Sequence, residues 1–205
     1  MSALKMEQLN CMSKIKYVLY FFLIGLFVVS CKSEYQQYVD RELSSGVTND
    51  SLMFGLYMGL EKETYFEICW ELNKEGVLDQ GTGNGSVRHT TDKDSLGQRT
   101  TYSLDLLFEA LFDEEDILRG MSINYSYLAW APWNRELQSD GLILRLKKDL
   151  LEMYPGNDFI EIDVKASKSS ALVKIDGNRQ ILMYIKGDKD VVVKIEDLQY
   201  KLSKK

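Results

Sequence analysis

The polar and apolar positions of this chain predict a helix followed by antiparallel strands in its first half. Apolar side chains recur at intervals of three and four, the pattern of one helix face, at Tyr65, Ile68, Cys69 and Leu72. Gly76 is placed to end that helix. Between residues 86 and 127 apolar and polar positions alternate, which predicts antiparallel strands, and the acidic run DEED at 113–116 is expected to turn the chain. One brief strand is expected ahead of the helix, from the alternation of Leu52, Phe54 and Leu56.

The same order returns in the second half. Apolar residues that share one helical face predict a second helix that closes near Pro155, namely Ile143, Leu146, Leu150 and Met153. Four apolar runs follow as predicted strands, FIEIDV, SALVKID, QILMYI and DVVVKIED, with Asp176-Gly177 in a tight turn that needs positive φ. We therefore expect the α+β class, with two helix-plus-antiparallel-sheet units, over residues 52–134 and 135–205, that a duplication would explain.

Ahead of these units the chain is apolar and then abruptly polar. Lys14 and Lys16 precede an apolar stretch of 13 residues, from Tyr17 to Val29. As a helix this stretch would span about 20 Å, short of the roughly 30 Å of a bilayer core, so it indicates a signal peptide instead of a permanent span. We expect residues 1–30 to be that signal, with translation starting at Met12, and residues 31–51 to be a polar tether.

The predicted signal ends in Val28-Val29-Ser30-Cys31, which resembles the lipobox of bacterial lipoproteins. The resemblance implies that the Cys31 sulfur is diacylated, with palmitate among the acyl chains, and that the signal is cleaved before Cys31. It also implies acylation of the new amino terminus, and two or three chains hold a protein at a membrane essentially permanently. The alternative is an ordinary buried cysteine at the end of a membrane helix.

The location expected from this resemblance is the cell envelope, at the outer membrane. Lys32-Ser33-Glu34 partly matches the signal for surface display in Bacteroidetes-type lipoproteins, with Ser33 where an acid is typical. The periplasmic and surface sides therefore both stay open. The fuller sequence is also similar to hypothetical lipoproteins of these bacteria, a group that implies no activity.

Composition narrows the classes of partner. The chain has a net charge of −6, and removing the three lysines and one glutamate of the signal leaves −8. This acidic balance argues against nucleic acid as a partner. Of the three cysteines, Cys11 leaves with the signal and Cys31 is lipidated, so Cys69 remains without a disulfide partner. Because Cys69 lies on the apolar helix face, we expect a small buried hydrophobic residue and not a reactive thiol.

No catalytic residues, cofactor or metal are expected. His89 is the single histidine, and no nucleophile motif accompanies it that would use it as a base. It is expected to be exposed on a strand or loop. One histidine and one buried cysteine do not make a zinc site. Asp92-Lys93-Asp94, followed by Gly97, lacks the third ligand and the closing glutamate of a calcium loop.

The segment YSYLAWAPWN, 125–134, is the candidate for molecular recognition. It concentrates Tyr125, Tyr127, Trp130 and Trp133, and such rings combine a large stiff surface with a polar group, which suits binding sites and stacking on sugars. Rings that alternate on a strand and then meet a proline are more often core. We expect packing between the first sheet and the second helix, with binding as the alternative.

Residues 55–63, GLYMGLEKE, resemble the repeat of the small outer-membrane-assembly lipoproteins of the SmpA/OmlA type. Gly55, Gly59 and the acid match that pattern, whereas Glu61 stands where a capping Ser or Thr is expected. The beta-lactamase inhibitor proteins are similar in being built from two helix-plus-sheet units. Both resemblances imply a fold and leave function open.

The function expected is that of a lipid-anchored, non-enzymatic binding or assembly module for an envelope protein or glycan. One alternative is a glycan-directed hydrolase that uses a carboxylate pair, which a cleft with two acids beside Trp130 or Trp133 would favour. Another is an inhibitor module for a partner enzyme, which a concave exposed sheet would favour.

Overall fold

The computed structural model describes residues 32–83, 85–91, 98–164 and 169–204. The helices are α1 (Glu34–Ser44), α2 (Lys62–Lys74), α3 (Ser139–Met153) and α4 (Leu198–Ser203), with short 3-10 turns at Met53–Gly55 and Arg135–Leu137. The strands are β1 (Asp79–Gln80), β2 (Ser86–Thr90), β3 (Leu104–Phe112), β4 (Leu118–Tyr127), β5 (Ile160–Val164), β6 (Ser169–Asp176), β7 (Arg179–Lys186) and β8 (Asp190–Asp197).

The eight strands form one antiparallel sheet in the order β1-β2-β3-β4-β8-β7-β6-β5. Each half of the chain contributes a four-stranded meander, and the two meanders join where β4 pairs with β8. The α+β class is therefore confirmed. The boundary predicted at residues 134 and 135 does not separate two sheets, because the β4–β8 pairing and a shared core unite both halves. The duplication stays a prediction.

The main hydrophobic cluster lies on one face of this sheet, to which alternate residues of each strand point. Leu106 and Phe108 of β3 share this face with Met121 and Ile123 of β4, and all four are fully buried. Helix α3 covers β7, β8 and β4. Its buried apolar residues are Leu142, Leu146 and Leu150, whereas Ile143 is half-buried and Met153 is 49% exposed, so the helix is rotated slightly from the face predicted.

Helix α2 begins and ends where the sequence predicts. Gly76 has φ of +72°, which suits the left-handed conformation that closes a helix. Glu61 is the N-cap residue and its side chain makes no capping hydrogen bond. The β3–β4 turn supplies this contact instead, since the amide of Lys62 donates to the carbonyl oxygen of Asp116 at 2.9 Å and the two side chains pair at 2.8 Å.

The brief strand predicted over residues 52–56 is wrong. Residues 53–55 form a 3-10 turn in which Phe54 has φ of +59°, and the amide of Leu52 donates to the carbonyl oxygen of Leu56 at 2.8 Å. The segment therefore folds back on itself. Leu52 and Leu56 are buried, as their apolar character requires, but they reach the core from a turn and not from a strand.

The tether predicted over residues 31–51 differs from the structure from Tyr38 onwards. Residues 38–205 form one compact unit, in which Tyr38 and Val39 are buried and Asn49 binds the β6–β7 turn. The amide of Asn49 donates to Asn178 Oδ1 at 2.6 Å, and its side chain donates to the carbonyl oxygen of Asp176 at 3.0 Å. The polar side chains of this segment therefore hold it on the sheet.

Of the unit that ends at Gln37, the structure describes residues 32–37, which include the start of α1, where the amide of Gln37 donates to the carbonyl oxygen of Ser33 at 3.0 Å. The predicted signal peptide, the Met12 start and Cys31 lie outside the described residues, as does the acidic segment 92–97. No helix within the described part of the chain combines the length and the apolar character needed to cross a membrane.

Candidate functional site

The structure divides the four candidate aromatic residues between core and surface. Tyr125 and Tyr127 end β4 and are buried, so the expectation of packing holds for them. Trp130 is half-buried against the core. Trp133 is 85% exposed, so for this residue the expectation of packing is wrong. The reason is that the chain leaves the sheet after Tyr127 and turns at Pro132, which removes Trp133 from the strand alternation.

The loop that carries Trp133 is held by hydrogen bonds on both sides. Within it, the side-chain amide of Gln138 donates to the carbonyl oxygens of Ala131 at 3.2 Å and Asn134 at 3.1 Å. Across to the β7–β8 turn, Trp130 Nε1 donates to the carbonyl oxygen of Asp188 at 3.3 Å. The loop that carries the exposed ring of Trp133 is therefore held in place.

Ser139, the first residue of α3, adds two more contacts to the same turn. Its amide donates to the carbonyl oxygen of Asp188 at 2.9 Å, and its hydroxyl donates to that of Gly187 at 2.7 Å. Because Ser139 is buried, water does not compete for these bonds. The start of α3, the Trp133 loop and the β7–β8 turn are thereby joined into one support.

A groove of about 610 Å³ lies between the Trp133 loop and the β7–β8 turn, and we call it the Trp133 groove. Its lining is mostly polar and comprises Pro132, Arg135, Gln138, Ser139, Asp140, Ile185, Gly187 and Asp188. Trp133 follows the lining residue Pro132 directly in the chain. The groove offers hydrogen-bonding groups of both charges, and the exposed ring of Trp133 lies on the loop beside it.

Two carboxylates, Asp140 and Asp188, belong to this lining, and both are exposed. A carboxyl group that acts as a general acid needs an apolar environment to keep its proton near neutral pH. Exposed carboxylates serve more readily as hydrogen-bond acceptors for ligand hydroxyl or amide groups. The arrangement therefore suits binding better than bond cleavage.

A second pocket, of about 560 Å³, lies between α2 and the β1–β2 hairpin, and we call it the α2 pocket. Apolar groups dominate its surface, and the lining includes Phe66, Cys69, Trp70, Leu78, Asp79 and Val87. Phe66 and Trp70 are 46% and 61% exposed, which is unusual for such large rings. The sequence could have indicated this pocket, because Phe66 and Trp70 are large apolar residues outside the stripe formed by Tyr65, Ile68, Cys69 and Leu72.

Cys69 is 8% exposed and contributes to the wall of the α2 pocket. Burial raises the pKa of its thiol, while the neighbouring Tyr65 hydroxyl acts in the opposite direction. The residue therefore is the small buried hydrophobic group expected, with little thiolate at neutral pH.

His89 has a structural role. It lies on β2 and is half-buried, not exposed, with Nδ1 2.6 Å from the carbonyl oxygen of Val77. Because a carbonyl can only accept, Nδ1 carries the proton in this contact. The edge of the ring meets Phe54 at 5.0 Å between centroids. These contacts join β2 to the turn at 53–55 and to the end of α2.

Among residues 32–83, 85–91, 98–164 and 169–204, no three His, Cys, Asp or Glu side chains are grouped to hold a metal ion. Comparison with models of protein families, with curated proteins and with solved structures finds no match for this chain.

Proposed function

We propose that this chain is an envelope lipoprotein, anchored through Cys31, whose folded domain is a non-enzymatic module that binds glycan in the Trp133 groove. The observation that carries the proposal is the 85% exposure of Trp133 on a hydrogen-bonded loop beside a polar groove. Exposing a tryptophan ring to water is costly. A ligand that covers the ring removes this unfavourable exposure, which contributes to the free energy of binding.

The chemistry of the groove fits a sugar. Trp133 offers an aromatic face on which the C–H faces of a pyranose ring can stack. Arg135 supplies donors, and Asp140 and Asp188 supply acceptors, for the hydroxyl groups at the edge of the same ring. Because Gln138 and Ser139 already hold the loop, little conformational entropy is lost on binding.

The anchor supports the choice of partner. Two or three acyl chains on Cys31 would keep the domain at the outer membrane, on its periplasmic or surface side. The polymers within reach there are glycans of the cell envelope and glycans outside the cell. A domain with a net charge near −8 is also unsuited to binding nucleic acid.

A glycan hydrolase is the second candidate, because two carboxylates line the groove beside the Trp133 loop. Their exposure weighs against it, since glycoside hydrolysis needs one carboxyl group kept protonated. The inhibitor module stays a prediction that neither pocket specifically favours.

The test is binding of the full chain to purified peptidoglycan sacculi and to N-acetylchitotriose. Trp133→Ala should weaken both interactions at least tenfold, and Tyr102→Ala, a matched change at another exposed ring (55% exposed), should leave them unchanged. Equal binding by wild type and Trp133→Ala would refute the proposed site. Release of reducing ends that Asp140→Asn or Asp188→Asn abolishes would establish the hydrolase instead.

A further inference from the structure

The α2 pocket is formed by the side of α2 that faces the β1–β2 hairpin. Phe66 and Trp70 lie one turn apart on this side and rise above Cys69, Leu78 and Val87. The volume of about 560 Å³ holds one or two large side chains. The α2 pocket and the Trp133 groove have no lining residue in common.

Neighbouring groups hold the two aromatic rings in place. Phe66 meets Tyr65 edge-on at 5.3 Å between centroids and lies 6.5 Å from Phe112. The ammonium of Lys74 lies 5.6 Å from the centre of the Trp70 ring. A ring that is already oriented loses less entropy when a partner covers it. These contacts therefore favour the interpretation that the two exposed rings form a binding surface.

Carboxylates lie along one side of the pocket. Glu63, Glu67 and Glu71 recur every four residues along α2, next to the aromatic side, and all three are exposed. Asp79 lies on the opposite wall, where Arg88 is its cross-strand partner. Among the described residues that line the pocket, none carries a positive charge. Lys74 pairs with Glu71 at 2.8 Å, which leaves the charges of Glu63 and Glu67 to dominate this side of the rim.

The edge of the sheet lies beside the same pocket. Strand β1 is the terminal strand, pairs on one side only with β2, and both of its residues are exposed. Backbone groups at such an edge can pair with an extended polypeptide. An acyl chain cannot use them, and anionic phospholipid head groups would be repelled by the acidic rim.

We propose that the α2 pocket is a docking site for an extended segment of a protein partner that carries a large apolar side chain flanked by lysine or arginine. The apolar side chain fills the space between Phe66 and Trp70. The flanking cations meet Glu63 and Glu67 on the helical side of the pocket. The site is independent of the Trp133 groove, so the domain holds a glycan and a protein at separate places.

The probe is a fluorescein-labelled peptide of sequence KKVFVKK, measured by fluorescence anisotropy with the full chain in lipid nanodiscs. Two control peptides, EEVFVEE and KKVSVKK, change the flanking charge and the anchor respectively. We expect each control to bind at least tenfold more weakly than KKVFVKK. Raising the salt concentration should weaken KKVFVKK binding, because the flanking contacts are between exposed charges.

Variants of the chain locate the site. Trp70→Ala should weaken peptide binding at least tenfold, the double change Glu63→Gln with Glu67→Gln about threefold or more, and Tyr102→Ala not at all. Bound peptide should also slow alkylation of Cys69 by iodoacetamide. Equal affinity for KKVFVKK and EEVFVEE, or binding indifferent to Trp70→Ala, would overturn the proposal. Displacement of the peptide by palmitate at lower concentration than by unlabelled peptide would do the same and would assign the pocket to lipid.

Discussion

The hydroxyl of Tyr38 donates to the carbonyl oxygen of Ile175 at 2.9 Å and accepts from the amide of the same residue at 3.0 Å. Strand β5 pairs with β6 only as far as Val173, so the backbone of Ile175 lies beyond the end of its neighbour. The Tyr38 side chain takes the place of the hydrogen-bonding groups that a longer β5 would provide. The amino-terminal segment of the domain is thereby joined to the sheet.

Tyr38→Phe removes both hydrogen bonds and keeps the ring. Because the Ile175 amide is left buried without this partner, we expect the free energy of unfolding to fall by about 1 to 3 kcal/mol. Equilibrium unfolding in urea measures the change. A loss below about 0.3 kcal/mol would show that residues near Tyr38 do not hold the sheet edge. Tyr57→Phe, at a ring that is 49% exposed, is the matched control.

A buried ion cluster lies at the β6–β7 hairpin. Lys174 is fully buried, its ammonium lies 2.8 Å from Asp176 Oδ2, and it also donates to the carbonyl oxygen of Asn157. Arg179 lies 3.8 Å from the same carboxylate oxygen and donates to Ser51 Oγ at 2.8 Å. Desolvation by burial lowers the pKa of Arg179, with Asp176 opposing that shift.

Asp176→Asn leaves the two buried cations without their carboxylate. We expect a loss of about 3 to 5 kcal/mol, as found when one partner of a buried pair is removed. Glu71→Gln breaks an exposed pair with Lys74 of the same 2.8 Å length and should cost about 1 kcal/mol or less. Comparable losses in the two variants, measured by urea unfolding, would contradict the role assigned to the cluster.

The β3–β4 turn predicts a pH dependence of stability. The amide of Ile117 lowers the pKa of Asp113, and so do hydrogen bonds from Arg119 and the amide of Glu115, while desolvation acts in the opposite sense. A carboxyl pKa that is lower in the folded state stabilises the fold above the unfolded value, about 3.9. That stability is lost as the pH falls through the folded pKa.

Asp113→Asn should therefore be less stable than the wild type at pH 7, and the difference should shrink as the pH falls below about 4. Urea unfolding at pH 7, 5 and 3 measures it. Glu114→Gln, at a side chain that is 91% exposed, should give a smaller difference at every pH. A difference for Asp113→Asn that is constant from pH 7 to 3 would contradict the assignment.

The two tryptophans of the 125–134 segment should differ in their effect on stability. Trp133→Ala removes an exposed ring and should change the free energy of unfolding by no more than about 0.5 kcal/mol. Trp130→Ala loses packing against the core and the hydrogen bond to Asp188, and should cost about 1 to 3 kcal/mol. Thermal melts of both variants measure this. A large loss in Trp133→Ala alone would reverse our assignment of surface and core.

Much of the fold follows from local patterns. The strand alternation around Phe108 and Ile123, the helical spacing of Tyr65 and Cys69, and the turn at Gly177 (φ of +60°) were all predictable, because each depends on neighbours in sequence. The pairing of β4 with β8 was not. It joins Asn124 to Val192, and nothing local specifies which strands meet when both halves have suitable edges.

The site was less predictable, for physical reasons. Trp133 follows strand residues of similar character, and only the path of the chain after Tyr127 exposes it. Lys174 interrupts the apolar run SALVKID and would be expected in water, yet contacts with Asp176 and Asn157 allow its burial. Phe66 and Trp70 were readable in principle, because they widen the apolar side of α2 beyond what the core needs.

The proposed glycan and protein partners are ones that a protein held at the outer membrane would meet, so both proposals depend on the lipid anchor at Cys31. The most direct test is mass spectrometry of the amino-terminal peptide of the full chain, recovered from the membranes of the cells that make it. The account predicts a peptide that begins at Cys31 and carries two or three fatty acyl chains. A peptide that retains residues 12–30, or an unmodified thiol at Cys31, would contradict it.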